Sequence, residues 1–142
     1  EVPDGVILQQ LGPDAEREQI SGLLRALALA FGEVFDPATA DSAGARLLRR
    51  IAVIAFAEEE IAGGGMCLDA LEGVVELVGI GVLEEFRERG IAAAVTGELA
   101  RLAFETGVHT AFLTPGAEAT ARIYERAGFE RTDEMLHMVH RP

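Results

Sequence analysis

The stretch from Val74 to Ala94 constrains the fold most strongly, because a long apolar run there leads through a short polar turn into an alanine-rich segment. The run Val74–Val82 carries a single charge, Glu76, and contains Gly79 and Gly81. Apolar runs of this length between turn signals are typical of buried strands, and the segment that follows has one apolar face with helical spacing. The order predicts a buried strand, a tight turn and a helix, as in a layered sheet-and-helix fold.

The turn between that strand and helix is a candidate anion site. A helix N-terminus offers unpaired N–H groups and about half a positive charge, and Gly90 lets a ligand approach the backbone closely. These features predict a pyrophosphate cradle over Arg87–Ala93. It is not a Walker loop, because no Gly-Lys-Ser/Thr is present. Arg87 and Arg89 add positive charge suited to phosphates, or else form weak surface ion pairs with Glu84, Glu85 or Glu88.

Glu76 is the unusual residue of the apolar strand. Simple alternation places it on one face with three apolar residues, Val78, Ile80 and Val82. Carboxylates buried without partners hold protons more tightly, and such a group is suited to take a proton from an amine. The alternative, which the spacing leaves equally open, is a carboxylate at a solvated strand end or one paired to an arginine.

The two strand glycines, Gly79 and Gly81, predict a bulge or a splay in the sheet. A strand forced away from its neighbour has free N–H groups, which can bind an extended chain as an added strand or stabilise an oxyanion. Alternatively, the glycines only relieve crowding against a helix.

A second motif runs from Thr120 to Phe129 and includes Tyr124, the single tyrosine of the chain. Its hydroxyl could protonate a leaving group. The commoner fate of a helical tyrosine is a ring packed on the core with its hydroxyl at the surface.

Together these motifs resemble the GNAT superfamily of N-acetyltransferases. The loop matches the pattern Arg-x-x-Gly-x-Ala at residues 87–92, and the later segment matches aliphatic-Tyr-Glu-Arg-x-Gly-Phe at residues 123–129. The resemblance covers residues 74 to 130. Two positions depart from the family pattern: Ala117 stands where an asparagine is common, and Ala92 replaces a second loop glycine.

The resemblance implies a mixed, mostly antiparallel α/β (α+β) fold with a splayed strand pair and helices on both faces. It implies acetyl-CoA as co-substrate and no metal, with direct attack of an amine on the thioester. Tyr124 would be the general acid and Glu76 the general base. The implied cofactor-binding residues are Ile80, Gly81, Val82, Arg87, Glu88, Arg89, Gly90, Ile91, Ala92 and Ala93.

The rest of the chain predicts the order β-α-α-β-β-β-α-β-α-β-β. The segment from Asp36 to Arg50 is predicted as a helix although it has few large apolar residues. The predicted strands cover Val6–Leu11, Ile51–Ala57, Ile61–Leu68, Val74–Val82, Thr110–Thr114, a segment from Phe129, and Met135–Val139. The other helices cover Ile20–Phe31, Gly90–Thr106 and Glu118–Ala127.

Composition narrows the class of protein. The net charge of the 142 residues is −12 and all 12 basic residues are arginines, which argues against binding to duplex nucleic acid. The acidic balance suits a cationic amine substrate, or serves only solubility. A lone cysteine, Cys67, excludes an internal disulfide, and we favour a buried apolar role over an acyl-carrying one. The three histidines have no metal-ligand spacing.

No run is long enough to span a membrane, and a cytoplasmic location is favoured. We expect a single domain over residues 1–142. The chain begins at Glu1 rather than Met, so a piece of a longer protein stays an alternative. A homodimer is a separate alternative for the assembly. The functional alternative is a non-catalytic acyl-CoA sensor or an accessory domain. The sequence does not identify the acceptor, whether a small-molecule or a peptide amine.

Overall fold

The computed structural model describes residues 2–12, 17–33, 50–115, 118–131 and 138–140. The strands are β1 Val6–Gln10, β2 Ala52–Ala57, β3 Glu60–Cys67, β4 Val74–Val82, β5 Thr110–Leu113, β6 Glu130–Arg131 and β7 Met138–His140. The helices are α1 Arg17–Ala30, α2 Ile91–Glu105 and α3 Glu118–Arg126, and a short 3-10 helix covers Glu84–Phe86.

Across these residues, the strands form one sheet in the order β1-β2-β3-β4-β5-β7-β6. Only β4 and β5 pair in parallel, and the other neighbours are antiparallel. The predicted mixed, mostly antiparallel sheet is therefore confirmed. The predicted helix from Asp36 to Arg50 lies outside the described residues, as does the predicted start of the last strand at Met135.

Helices cover both faces of the sheet, as predicted. On one face, Leu23 and Leu27 of α1 pack in a cluster with Ile54 of β2. On the other face, Val95 and Leu99 of α2 join a larger cluster that contains Val53 and Ala55 of β2 and side chains of α3. Successive β2 residues thus alternate between the two clusters, as the pleat of a strand requires.

The three consecutive glycines of β3 allow close packing on both faces. A Cβ on Gly63 would overlap the carbonyl oxygen of Gly81. A Cβ on Gly64 would lie 2.6 Å from Cδ1 of Leu23 on the α1 face, and one on Gly65 would lie 3.1 Å from Cδ1 of Leu99 on the α2 face. The prediction of a bulge or close backbone approach at these glycines is confirmed, because the β3–β4 register also shifts between Gly64 and Met66.

That register shift corrects the predicted face of the β4 side chains. Gly64 and Met66 pair with Gly81 and Val78, so two steps along β3 match three along β4. The extra residue falls at Gly79, whose φ of 64° is left-handed, and such a bulge reverses the alternation beyond it. Val78 therefore faces α1, whereas Ile80 and Val82 pack in the α2 cluster. The prediction that Glu76, Val78, Ile80 and Val82 share one face was wrong.

The predicted splay lies between β4 and β5. The two strands pair over Val74–Glu76 with Thr110–Phe112, but β4 continues to Val82. Six residues of β4 thus extend past the last pair, and we refer to the space beside them, 77–82, as the β4–β5 gap.

Candidate active site

The predicted cradle lies where β4 leads into α2. Gly90 precedes the helix with φ 85° and ψ 9°, and α2 begins at Ile91. The first bond of the helix runs from the Ala94 N–H to the Gly90 carbonyl at 3.1 Å. The N–H groups of the first helical residues, Ile91 to Ala93, come before this bond and lack partners within the helix.

The turn before the cradle is held by one buried anchor and two left-handed residues. Phe86 is 2% exposed in the core, and its N–H bonds to the Leu83 carbonyl at 2.9 Å. Glu88 has φ 63° and Gly90 has φ 85°. Alternation of left- and right-handed backbone turns successive N–H groups toward a common point, which favours anion binding.

The two arginines of the turn contact protein groups. The Arg87 guanidinium donates from Nε to the Val82 carbonyl at 3.0 Å and from Nη2 to the Ala30 carbonyl at 2.9 Å. Arg89 donates to the Glu85 carbonyl at 3.3 Å, lies 3.6 Å from a carboxylate oxygen of Glu58, and stands over the Phe86 ring. For Arg89, the ion pair predicted with Glu84, Glu85 or Glu88 is not the one observed, because the partner carboxylate, Glu58, comes from the β2–β3 hairpin tip.

The end of β4 presents a backbone donor to the β4–β5 gap. The Leu83 N–H bonds to the Ala62 carbonyl of β3 at 2.8 Å. Since backbone groups alternate in direction along a strand, the N–H of Val82 points away from β3 and toward the gap.

Glu76 lies at the point where β4 and β5 separate. It is the last β4 residue paired with β5, opposite Phe112. Its neighbours Val75 and Leu77 are buried in the α2 cluster, so its side chain lies on the α1 face and is half-buried. No residue in the described ranges forms a hydrogen bond or ion pair with this carboxylate.

Tyr124 lies on α3, half-buried against the cluster that contains α2. Burial raises the pKa of its hydroxyl above the ordinary value, because the phenolate would lose hydration. The hydroxyl is therefore protonated at neutral pH and can donate a proton. No partner for it is found in the part of the chain that the structure describes.

The two predicted catalytic groups thus lie on opposite faces of the sheet. Glu76 is on the α1 face at the start of the gap, whereas Tyr124 packs on the α2 face with Ile80 and Val82. Val82 and the cradle lie close together along the chain, because β4 ends at Val82 and leads through the short turn directly into α2.

An open groove of about 710 Å³ lies beside the cradle, between α2, the N-terminal residues with β1, and the end of α3. The residues that line it include the small residues Gly90, Ala93 and Gly97, together with Arg126 and residues 2–4. Its volume is in the range of small-molecule sites, roughly 300–1,000 Å³.

Cys67 is 1% exposed, and burial raises the pKa of its thiol to about 12. It therefore stays a protonated thiol, as expected for a core residue. Among the described residues, no group of three or more His, Cys, Asp or Glu could hold a metal ion. Within the same ranges, no helix is long and apolar enough to cross a membrane.

Two neighbours of the site were not predicted. Alternation along β5 could have placed Phe112 beside Glu76, since Ala111 and Leu113 are buried on the other face. Nothing in the sequence indicated that the Ala30 carbonyl would meet Arg87, because the two residues are 57 positions apart.

The fold of this chain is similar to that of several solved acetyltransferase structures. A Bacillus subtilis acetyltransferase in complex with CoA has a TM-score of 0.66 at 20% identity, with 96% of this chain and 99% of that chain covered. The ribosomal-protein-S18-alanine N-acetyltransferase from Escherichia coli has a TM-score of 0.71 at 14% identity, with 96% and 93% covered. For a Pyrococcus horikoshii structure the TM-score is 0.71 at 17% identity, and 91% of this chain spans only 44% of that one.

The family model of the Acetyltransferase (GNAT) family matches residues 21–129. The chain therefore belongs to the GNAT acetyltransferases, a family of acyltransferases, as the loop and tyrosine motifs predict. A comparison with curated proteins gives no match.

Proposed function

We propose that this chain is a single-domain N-acetyltransferase that moves the acetyl group of acetyl-CoA to a primary amine by direct attack. The observation that carries the proposal is the path from the β4–β5 gap to the cradle. Val82, whose N–H points into the gap, is followed by a short turn and then by the free N–H groups of Ile91–Ala93.

In this proposal, the pantetheine arm of acetyl-CoA lies in the gap as an added strand beside β4. The pyrophosphate lies on the N–H groups at the start of α2, where the helix dipole favours negative charge. Ile80, Gly81 and Val82 line the arm, and the main chain of residues 87–93 surrounds the phosphates. The N–H of Val82 is the candidate donor to the thioester oxyanion.

The opposite placement of Glu76 and Tyr124 supports direct transfer through the gap. An amine that approaches from the α1 face meets Glu76, which accepts its proton directly or through water. The departing thiolate lies on the α2 face, where Tyr124 donates a proton. The acetyl group then crosses from sulfur to nitrogen, and each proton transfer occurs on its own face of the sheet.

The acceptor is proposed to be a small-molecule or peptide amine. A net charge of −12 attracts a cationic ammonium group and raises its encounter rate at low ionic strength. The half-buried Glu76 carboxylate, unpaired among the described residues, is a suitable local partner for such a group before it loses its proton.

Tyr124→Phe tests the proposed transfer. With an amine panel and acetyl-CoA, we expect thiol release by the wild-type protein and a fall in kcat of about 10²-fold in the variant, since general acids contribute in this range. On the alkaline side, the wild-type kcat should decline only above the ordinary pKa of a tyrosine, because burial raises the pKa of Tyr124. That alkaline decline should disappear in Tyr124→Phe.

The variant keeps the aromatic ring, so CoA affinity measured by calorimetry serves as the control for folding and should stay unchanged. Unchanged turnover in Tyr124→Phe would remove this residue from the mechanism. Tight CoA binding without thiol release for any amine would instead support the acyl-CoA sensor, the alternative function.

A further inference from the structure

Arg87 makes two hydrogen bonds to main-chain carbonyls of different elements. Its Nε donates to Val82 at the end of β4 at 3.0 Å, and its Nη2 donates to Ala30 at the end of α1 at 2.9 Å. Ala30 is the last residue of α1, so no N–H group of the helix donates to its carbonyl. A cation at a helix C-terminus also interacts favourably with the helix dipole.

The same corner is closely packed. A Cβ on Gly81 would lie 3.1 Å from Cβ of Ala30 and 3.3 Å from Cζ of Phe31. The last turn of α1 therefore lies directly on the segment of β4 that borders the gap. Hydrogen bonds from Phe31 to Leu27 and from Glu33 to Ala28 continue the helix into this corner.

Arg89 provides the contrast within the same turn. Its guanidinium bonds to Glu85, four residues away, and to Glu58 at the hairpin tip. It has the same charge as Arg87 and is similarly exposed, yet none of its contacts within the described ranges reaches α1. The link between the turn and α1 therefore belongs to Arg87.

We propose that Arg87 is a positioning residue that fastens the end of β4 and the last turn of α1 to the cradle, and that it is not a phosphate ligand. This inference rests on the proposed acetyl transfer for its kinetic consequence. By holding the Val82 carbonyl, Arg87 fixes the strand end whose N–H points into the gap. Misplacement of such a donor lowers kcat more than it weakens cofactor binding.

The test compares Arg87→Lys, Arg87→Gln and Arg89→Gln by hydrogen exchange of the intact protein and by steady-state kinetics. We expect amide exchange over residues 31–33 to rise about tenfold in both Arg87 variants and to stay unchanged in Arg89→Gln. Lysine is informative because it keeps the charge for a phosphate but cannot span two carbonyls as the planar guanidinium does.

In the kinetic arm, both Arg87 variants should lose about tenfold or more in kcat, with KM for acetyl-CoA changed less than about threefold. Wild-type behaviour of Arg87→Lys, together with a raised KM in Arg87→Gln, would overturn the proposal in favour of a phosphate contact. Unchanged exchange over residues 31–33 in Arg87→Gln would also overturn it. If the wild-type protein transfers no acetyl group, the proposed function fails, while the exchange arm still decides whether Arg87 fastens α1.

Discussion

At the scale of the residue, burial determines what Cys67 can do. Its thiol is 1% exposed and its Sγ lies 4.0 Å from the Leu99 carbonyl. Because burial raises the pKa of this thiol to about 12, the nucleophilic thiolate is absent at neutral pH. The preference for a core role over an acyl-carrying role follows from this protonation state.

We predict that Cys67 makes the folded protein less stable at alkaline pH. The pKa rises from 9.0 in the unfolded chain to about 12 in the fold, so between these values the unfolded chain loses a proton that the fold retains. The free energy of unfolding therefore falls as pH rises above about 9, by at most about 4 kcal/mol at pH 12. Urea unfolding at pH 8, 9 and 10 measures the slope.

Cys67→Ala is the control for this slope, which should become shallower in the variant. Some slope should persist, because burial also raises the pKa of Tyr124, and the double variant Cys67→Ala/Tyr124→Phe should remove that part. Rapid alkylation of Cys67 by iodoacetamide at pH 7.5 in the folded protein would contradict the assignment.

The sequence predicted the chemical types of the site residues better than their partners. Arg87, Gly90 and Tyr124 could be selected because local motifs specify them. The contact from Arg87 to Ala30 spans 57 residues, and the pairing of Arg89 with Glu58 depends on where a distant hairpin tip lies. Such contacts arise from tertiary packing, on which local patterns carry no information.

At the scale of the element, the β4 bulge shows that a pair of strand glycines predicts an irregularity without specifying which glycine forms it. Gly79 and Gly81 both predicted an irregularity, but only Gly79 has a left-handed φ, of 64°. Gly81 instead gives room to the end of α1. The boundaries of β4 were predicted correctly. The faces of Ile80 and Val82 were not, because one extra residue reverses the alternation beyond it.

The cradle at the start of α2 can be tested with two glycines at opposite ends of this helix. Gly90 has φ 85° and Gly107 has φ 99°, so alanine at either position meets a similar backbone strain of about 1–2 kcal/mol. Only Gly90 adjoins the N–H groups of Ile91–Ala93. We predict that Gly90→Ala weakens CoA binding about tenfold or more, whereas Gly107→Ala leaves the affinity unchanged.

Isothermal calorimetry measures both affinities, and thermal unfolding verifies that the two variants lose similar stability. The comparison removes general destabilisation as an explanation, since both substitutions strain the same helix. Equal CoA affinity in the two variants would place the phosphates elsewhere and remove the main support for the proposed cofactor path.

At the scale of the whole molecule, the sheet has a narrow junction. Strands β1 to β4 pair continuously, and β5, β7 and β6 form a second group. The two groups are joined by three residue pairs, Val74–Glu76 with Thr110–Phe112. A sheet opened in this way loses backbone hydrogen bonds along residues 77–82, and we propose that the cofactor supplies partners there.

This arrangement predicts that CoA protects the junction in two separable parts. With CoA at 100 times its Kd, mass action should stabilise the fold by about 2.7 kcal/mol, and amide exchange should slow in residues 77–82, 110–113 and 91–93. Adenosine 3′,5′-bisphosphate carries phosphates without a pantetheine arm. It should protect residues 91–93 while leaving exchange in residues 77–82 unchanged, because nothing then occupies the gap.

Exchange measured by mass spectrometry distinguishes these segments, and β2, over Ala52–Ala57, provides the internal reference far from the gap. Equal protection of residues 77–82 by both ligands would show that the gap is not filled by the arm, and would argue for closure of the sheet on phosphate binding alone.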